Sequence, residues 1–298
     1  LSREAPIPIV NKKYTEFIPG GAANTAKNIV SLSGNAFSLG TIGKDISGEN
    51  LTSVLDTFGV NIQALVYDEN NPTTTKTRIS AHSKQSVKQQ VARVDTLPIA
   101  PISEAIKDKL IQNLHYFSNK VDTILISDYE NGVIFDEIID ECLKIAEKTG
   151  KNVIVDSQGN LGRFQKATLL TPNQPEAENV VGYKIKNKQT LEKAGKDLLA
   201  LSNAKAVLIT RGSEGMALFE SNGVTTHIPA FNKRDVFDVT GAGDTVVATF
   251  SLGISSGLEM RDAMLLANLA ASIVIRKFGT SVTSINEMKK VLNEENIF

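Results

Sequence analysis

DTILISD, Asp122 to Asp128, is a short run of apolar and β-branched residues closed by polar ones, and it recurs in kind as NVIVD (Asn152 to Asp156), ATLL (Ala167 to Leu170) and AVLIT (Ala206 to Thr210). Apolar runs of this length read as strands buried on both faces. Around them, ISEAIKDKLIQNL, DEIIDECLKIAEK and QTLEKAGKDLLALS place apolar residues three and four apart, with charges on the opposite face. Those predict covering helices. The same alternation extends back through SGENLTSVLDTFG to AFSLGTIG (Ala36 to Gly43), so the fold class is α/β, a mostly parallel central sheet flanked by helices on both faces.

Two stretches break this rhythm. Ile7 to Val10 with its flanks, and Ile62 to Asp95, where TTTKTRISAHSKQSVKQQVARVD alternates β-branched and polar residues, predict antiparallel sheet with one wet face. They are assigned to one small β lid, residues 1–17 and 62–95, whose two pieces pair with each other and stand off an α/β core of residues 18–61 and 96–298. From Gly241 onward the chain is nearly all helix, interrupted at KFGTSVTS.

Composition narrows the partners. The 298 residues carry 32 Lys and Arg against 33 Asp and Glu with no basic run, which leaves no footprint for nucleic acid or a membrane surface and points to small-molecule partners. No apolar stretch approaches the ~20 residues of a membrane span, and LSREAPIPIVNKK lacks the charged-then-apolar order of a signal peptide. The single Cys142, on an amphipathic helical pattern, reads as a buried reduced thiol. A cytoplasmic location is expected.

The chemistry concentrates in DVTGAGDT, Asp238 to Thr245, directly before the apolar VVATFSLGISSG. Gly241, Ala242 and Gly243 at a helix N-terminus leave backbone N–H groups unshielded, with the helix dipole adding positive potential for an anion. Asp244 beside them can accept a proton from a hydroxyl attacking a phosphorus held there. A capped helix with close-packing glycine reads equally well from this stretch alone. The sequence holds neither GxxxxGK[ST] nor a full GxGxxG, where Val246 replaces the third glycine. PGGAANTAKN (Pro19 to Asn28) opens another helix with Gly20 and Gly21, and its Asn24 offers a donor and an acceptor to a polyol or, equally, to a turn. In TPNQPEAENVV, Asn173 and Glu176 stand three apart at a helix start and suit a hydrated Mg²⁺, or simply a helix cap. TRGSEG (Thr210 to Gly215) reads as a hairpin turn.

Together, in this order and spacing, these segments resemble the ribokinase-like, phosphofructokinase-B type carbohydrate kinases over essentially the whole chain. SREAPIPIV, PGGAANTAKNI, LISDYENG, LLTPN, DVTGAGDT and KFGTS are most similar to the D-glycero-β-D-manno-heptose 7-phosphate kinases within that family. The resemblance implies a ribokinase-like fold with a lid that closes on the sugar and pairs with a second subunit's lid as a homodimer. It implies ATP and Mg²⁺, with Gly241, Ala242 and Gly243 as anion hole and Asp244 as base. Gly20, Gly21 and Asn24 would bind sugar hydroxyls, and Lys76, Arg78 and Arg93 a sugar phosphate. Asn173 and Glu176 would organise Mg²⁺ and phosphate, with Thr210, Gly212, Gly215 and the helix bearing Asn268 bordering the nucleotide. The family's first core strand, with its sugar-binding Asp, has no counterpart in these residues, and Asn131 and Gln158 stand where the heptose kinases commonly carry lysines. The histidines, His82, His115 and His227, form no HxGH motif of the nucleotidyltransferase domain sometimes fused to such kinases. The expected reaction is therefore phosphorylation of heptose 7-phosphate to its 1,7-bisphosphate in ADP-heptose and lipopolysaccharide precursor synthesis. The alternatives are a kinase for ribose, fructose or fructose 1-phosphate, or an inactive sugar- or nucleotide-binding sensor.

Overall fold

A computed structural model of the chain describes residues 11–81, 89–231 and 236–294. Strands β5 (Thr123–Asp128), β6 (Asn152–Ser157), β7 (Leu169–Leu170), β8 (Ala206–Thr210), β9 (Met216–Glu220) and β10 (Thr225–Ile228) form a six-stranded sheet in the order β10-β9-β8-β7-β6-β5. β5 to β8 pair in parallel and β8, β9 and β10 antiparallel, so the sheet is mixed. Residues alternate between two cores, as a pleat requires. Val153, Val155, Val207, Ile209 and Phe219 face one side, while Ile154, Leu169, Ala206, Leu208 and Leu218 face the other.

On the first side lie α3 (Glu104–Ser118), α4 (Asp136–Thr149), α5 (Gln174–Val181) and α6 (Lys188–Ser202), through residues such as Leu110, Ile139, Ala177 and Leu198. On the second lie α7 (Ala242–Ser255) and α8 (Met260–Val274), through Val247, Phe250 and Met264. Helix α1 (Ala22–Ser31) packs on α7, and α9 (Ile285–Glu294) covers α8. Cys142 is buried in the first core, as expected, with its thiol pushed up to about 12 by burial and by the nearby Glu141 charge.

The N-terminal strands depart from expectation. β1 (Gly40–Gly43), shorter than the predicted Ala36 to Gly43, pairs not with the six-stranded sheet but in parallel with β2 (Leu65–Asp68), across the crossover helix α2 (Ile46–Thr57). β2 was expected in the lid. It belongs to a βα-type unit instead, with Val66 buried in the α3 and α4 core and Asp68 buried by hydrogen bonds from Asn70 and Asn71. Its alternating burial imitates a half-wet lid strand in sequence.

The antiparallel pair β3 (Thr75–Ala81) and β4 (Gln89–Thr96) stands apart as a two-stranded sheet, with Arg78 opposite Arg93 in register. The predicted pairing of the N-terminal arm with this lid falls largely on residues 1–10, outside the described residues, while 11–20 carry no regular secondary structure.

Candidate active site

The carboxyl ends of the parallel strands converge on one cavity of about 140 Å³, lined by Asp128, Tyr129, Asp156, Gln158, Thr171, Asn173, Glu176, Thr210, Gly241, Gly243, Asp244 and Val246. In open parallel sheets this is where ligands bind.

Helix α7 begins at Gly241 with a left-handed φ of 78° and no side chain capping its N-terminus. Glycine is required twice over. A Cβ there would adopt a disfavoured backbone conformation and would lie 2.7 Å from Asn24 Nδ2 and 3.2 Å from Thr280 Cγ2. Gly243, by contrast, has nothing within 4 Å of an added Cβ and is exposed. The neighbouring α5 is closed at its start by its own residues: Asn173 Oδ1 accepts from Glu176 N at 2.9 Å, and Glu176 Oε2 accepts from Asn173 N at 2.8 Å. Of these two helix starts on the cavity, α7 is the one open to an anion.

Asp244 is buried, and three donors hold it. Oδ2 accepts from Asn24 Nδ2 at 2.7 Å, and Oδ1 accepts from Tyr129 OH at 3.1 Å and Thr25 Oγ1 at 3.3 Å. Burial pushes its carboxyl above the ordinary value, opposed by the hydrogen bonds of Asn24, Tyr129 and Thr25 and by the charge of Lys27. Burial, with the charges of Asp244 and Glu176, pushes Asp156 up to about 7, although Thr171 donates to it at 3.3 Å. Burial also raises Glu176 against the hydrogen bonds of Asn173. The lining thus holds four carboxylates and no Lys or Arg. Among the described residues no three or more His, Cys, Asp or Glu side chains form a metal cage. The mutual repulsion of Asp156, Glu176 and Asp244 nevertheless suits a hydrated divalent cation, which needs only one or two carboxylates besides phosphate oxygens.

The expected residues are only partly gathered. Asp244, Gly241, Gly243, Asn173, Glu176 and Thr210 line the cavity, and Ala242 opens α7 beside them. Asn24 is fully buried and directs its amide to Asp244, so in this structure it positions the carboxylate instead of presenting itself to a polyol. Gly21, the N-cap of α1 at φ 53°, backs onto the Tyr129 ring, 3.0 Å from where a Cβ would stand, and Gly20 is open and exposed. Asn268 is buried and donates to Pro229 O at 2.8 Å, away from the lining. Gly215 lets Ile228 O approach to 2.0 Å of a would-be Cβ, a close packing inside the β8–β10 region, while Gly212 has open space around it. In the lid, Lys76 and Arg93 both pair with Asp95, at 3.4 and 3.0 Å. Arg78 is exposed, and its field reaches Asp238 of the α7 approach. Sequence reading did not single out Tyr129, Thr25 or Asp156. The available signal was their place: Tyr129 directly after β5, Asp156 near the end of β6, and Thr25 one residue past Asn24.

The model of the pfkB family carbohydrate kinases matches residues 2–287. Among curated proteins, the bifunctional protein HldE of Helicobacter hepaticus is 36% identical over 296 residues, covering 99% of this chain and 60% of that protein. That of Geobacter metallireducens is 37% identical over 289 residues, covering 97% and 58%. The chain therefore spans about three fifths of the length of these relatives. Among solved structures, phosphofructokinase-2 from Escherichia coli in complex with substrates and products superposes with a TM-score of 0.75 at 22% identity, covering 92% of this chain and 87% of that one. Arabidopsis thaliana ribokinase complexed with ribose and ATP gives 0.71 at 23% identity, covering 91% and 86%. The ribokinase-like fold follows from these superpositions. With the family match over nearly the whole chain and an open helix N-terminus set beside a buried carboxylate, this chain belongs to the pfkB family of carbohydrate kinases.

Proposed function

We propose that this sugar kinase transfers the γ-phosphoryl group of ATP to D-glycero-β-D-manno-heptose 7-phosphate, giving the 1,7-bisphosphate for ADP-heptose and lipopolysaccharide precursor synthesis. The similarity to HldE proteins along the chain supports the substrate. The observation that carries the chemistry is the uncapped start of α7 next to Asp244. The acceptor hydroxyl gives its proton to an Asp244 oxygen as its own oxygen attacks the phosphorus. The N–H groups of Gly241 and Gly243 stabilise charge on the transferring group, the Ala242 N–H being already bonded to Val239 O at 3.2 Å, and ADP departs.

Asn173 and Glu176 would hold Mg²⁺ through its waters, and the ion when bound supplies charge neutralisation on the phosphates. Gly20 and Gly21 offer backbone to the sugar, and Thr210 and Gly212 border the nucleotide. A ribbon of two strands is marginal alone, and β3 and β4 expose Ile79, Val91 and Val94. That supports a lid that closes over substrate and pairs with the lid of a second copy. No helix among the described residues is long and apolar enough to cross a membrane. The buried reduced Cys142 and the use of ATP support a cytoplasmic site of action.

A second reading, a kinase for ribose, fructose or fructose 1-phosphate, is favoured by one observation: no cation lines the cavity, and Gln158 stands at its edge. Asp244→Asn tests the chemistry common to both readings. It keeps the shape but cannot take the proton, so turnover should fall by about 10²–10⁴ with nucleotide binding nearly intact by calorimetry. Near wild-type turnover with only a lowered melting temperature would reduce Asp244 to a helix-start charge.

A further inference from the structure

Arg163 stands outside the lining of the cavity, and the transfer chemistry described so far makes no use of it. It closes a short 3₁₀ turn, Leu161–Arg163, whose start is capped by Asn160 Oδ1 accepting from Gly162 N at 2.9 Å. Leu161 in the turn and Phe164 after it are fully buried, so the guanidinium is carried on a segment fixed to the core. From there it reaches across to the chain that follows β5. Nη2 donates to the carbonyl of Ile134 at 2.9 Å, Nε donates to Asp136 Oδ1 at 2.9 Å, and Nη1 lies 3.6 Å from Asp128 Oδ2. The Asp136 side chain is 80% exposed, and an ion pair in water contributes little. Asp128 is 3% exposed, and a carboxylate taken out of water is costly unless charge and hydrogen bonds compensate it. The contacts with Asp128 and with the Ile134 carbonyl are therefore the ones that count.

Those two contacts bracket most of the loop 129–135 between β5 and α4. Asp128 Oδ1 accepts from Glu130 N at 2.9 Å and Oδ2 accepts from Ser157 Oγ at 3.2 Å, while Gln158 N donates to the Asp128 carbonyl at 3.1 Å. Glu130 is held at a left-handed φ of 56°, which a residue with a side chain adopts only where its surroundings impose it. Its side chain lies over Gly159, with Oε1 2.5 Å from where a Cβ would stand there. Between Asp128 and Glu130 sits Tyr129, whose ring backs onto Gly21 and whose hydroxyl donates to Asp244 Oδ1 at 3.1 Å. A hydroxyl at the tip of a rigid ring is aimed by the backbone that carries the ring. That backbone is a strained turn, and Asp128 and Arg163 hold it.

We propose that Arg163 is a positioning residue of the transfer centre: with Asp128 it latches the loop 129–135 so that the Tyr129 hydroxyl stays directed at the Asp244 carboxylate. The inference rests on the reading of Asp244 as the base. Without the guanidinium, Asp128 loses its nearby positive charge and the Ile134 carbonyl its donor, the turn at Glu130 relaxes, and Tyr129 moves off the carboxylate. A small displacement at a reacting centre is costly in rate, because the oriented geometry is what the site contributes.

The test uses the full chain with Arg163→Gln, which keeps one donor but loses the charge and the fork, alone and combined with Tyr129→Phe. Amide hydrogen exchange of residues 129–135 is followed by mass spectrometry. In parallel, kcat and KM are measured with Mg-ATP and whichever of heptose 7-phosphate, ribose, fructose and fructose 1-phosphate is turned over fastest. The expected result is exchange in the loop about tenfold faster, and kcat about tenfold lower with the KM for ATP unchanged. In the Tyr129→Phe background, where the hydroxyl is already gone, Arg163→Gln should lower kcat by roughly twofold or less. Unchanged exchange would overturn the latch. An unchanged kcat, or an equal loss in both backgrounds, would overturn the positioning role and make Arg163 a residue of the fold alone. Should Arg163→Gln fail to fold, Arg163→Lys, which keeps the charge beside Asp128 but not the fork, is read against the same outcomes. Failure of the base reading is separately visible as wild-type turnover in Asp244→Asn, which leaves the exchange measurement standing.

Discussion

Asn24 Nδ2 donates to Asp244 Oδ2 at 2.7 Å across 220 residues of chain, joining α1 to α7 at the carboxylate proposed as the base. Both side chains are buried. The bond fixes the carboxylate's orientation, and with Tyr129 and Thr25 it offsets part of what burial does to its ionisation.

Asn24→Ala should therefore cost more than a surface contact would. It leaves a buried carboxylate oxygen without its shortest donor, with a stability loss of about 1–3 kcal/mol and a rise in the pH at which turnover is half-lost on the acid side. A pH profile of kcat with a denaturant melt checks both. An acid limb left in place would mean that Tyr129 and Thr25 suffice.

The two glycines of the α7 start should separate structure from binding. Gly241→Ala strains a left-handed residue and crowds Asn24 and Thr280, so stability should fall by about 1–3 kcal/mol along with kcat. Gly243→Ala meets no protein atom and lies within a helix, where alanine gains up to ~1 kcal/mol over glycine. Its melting temperature should hold or rise while the KM for ATP increases, because a bound phosphate would approach that backbone. Unchanged kinetics for Gly243→Ala would place the anion elsewhere.

How much of this was legible beforehand follows from burial. β6 and β8 are buried on both faces, so Val153 to Val155 and Ala206 to Ile209 are unbroken apolar runs that declare themselves, and the partly buried edge strand β5 keeps the apolar run Ile124 to Ile126, whereas β2, with Tyr67 exposed between buried Val66 and Asp68, looks like a half-wet strand. The start of α7 was readable because small residues crowd into one short segment. Thr25, Tyr129 and Asp156 were not, since each gains its role from an element far away in sequence that folding brings against it. Asn24 was noticed for its chemistry, but its direction is set by packing on α7 and lies outside what a single segment can reveal.

Asp156 supplies a pH signature. Its carboxyl is raised from 3.8 to about 7 in the folded protein. A raised carboxyl contributes stability that is fully present below the unfolded value and is lost as pH climbs through the folded one. Melting temperature of the ligand-free protein should thus decline from pH 5 to pH 8, and Asp156→Asn should flatten the slope. An equal slope in the variant would assign the effect to Asp244 and Glu176, which burial raises as well.

The proposed phosphorylated acceptor is tested at the basic residues of β3 and β4. Lys76 and Arg93 share Asp95, whereas the exposed Arg78 forms no ion pair with it and its charge favours the ionised form of Asp238. Alanine at each position should raise the KM for heptose 7-phosphate, most for Arg78, with kcat less affected. Three unchanged constants would turn the assignment to an unphosphorylated sugar.

The distance in sequence between Asn24 and Asp244 also fixes a timetable. During synthesis α1 emerges early, but the helix it packs on is more than two hundred residues from being made, so its contact surface waits in a partly built molecule. Such long-range closure is slow and leaves apolar surface open to wrong partners meanwhile. On the proposed chemistry the same delay is protective: a chain interrupted anywhere before α7 lacks both the amides proposed to hold a phosphate and the carboxylate proposed to take the proton, so an unfinished product would not consume ATP by this route.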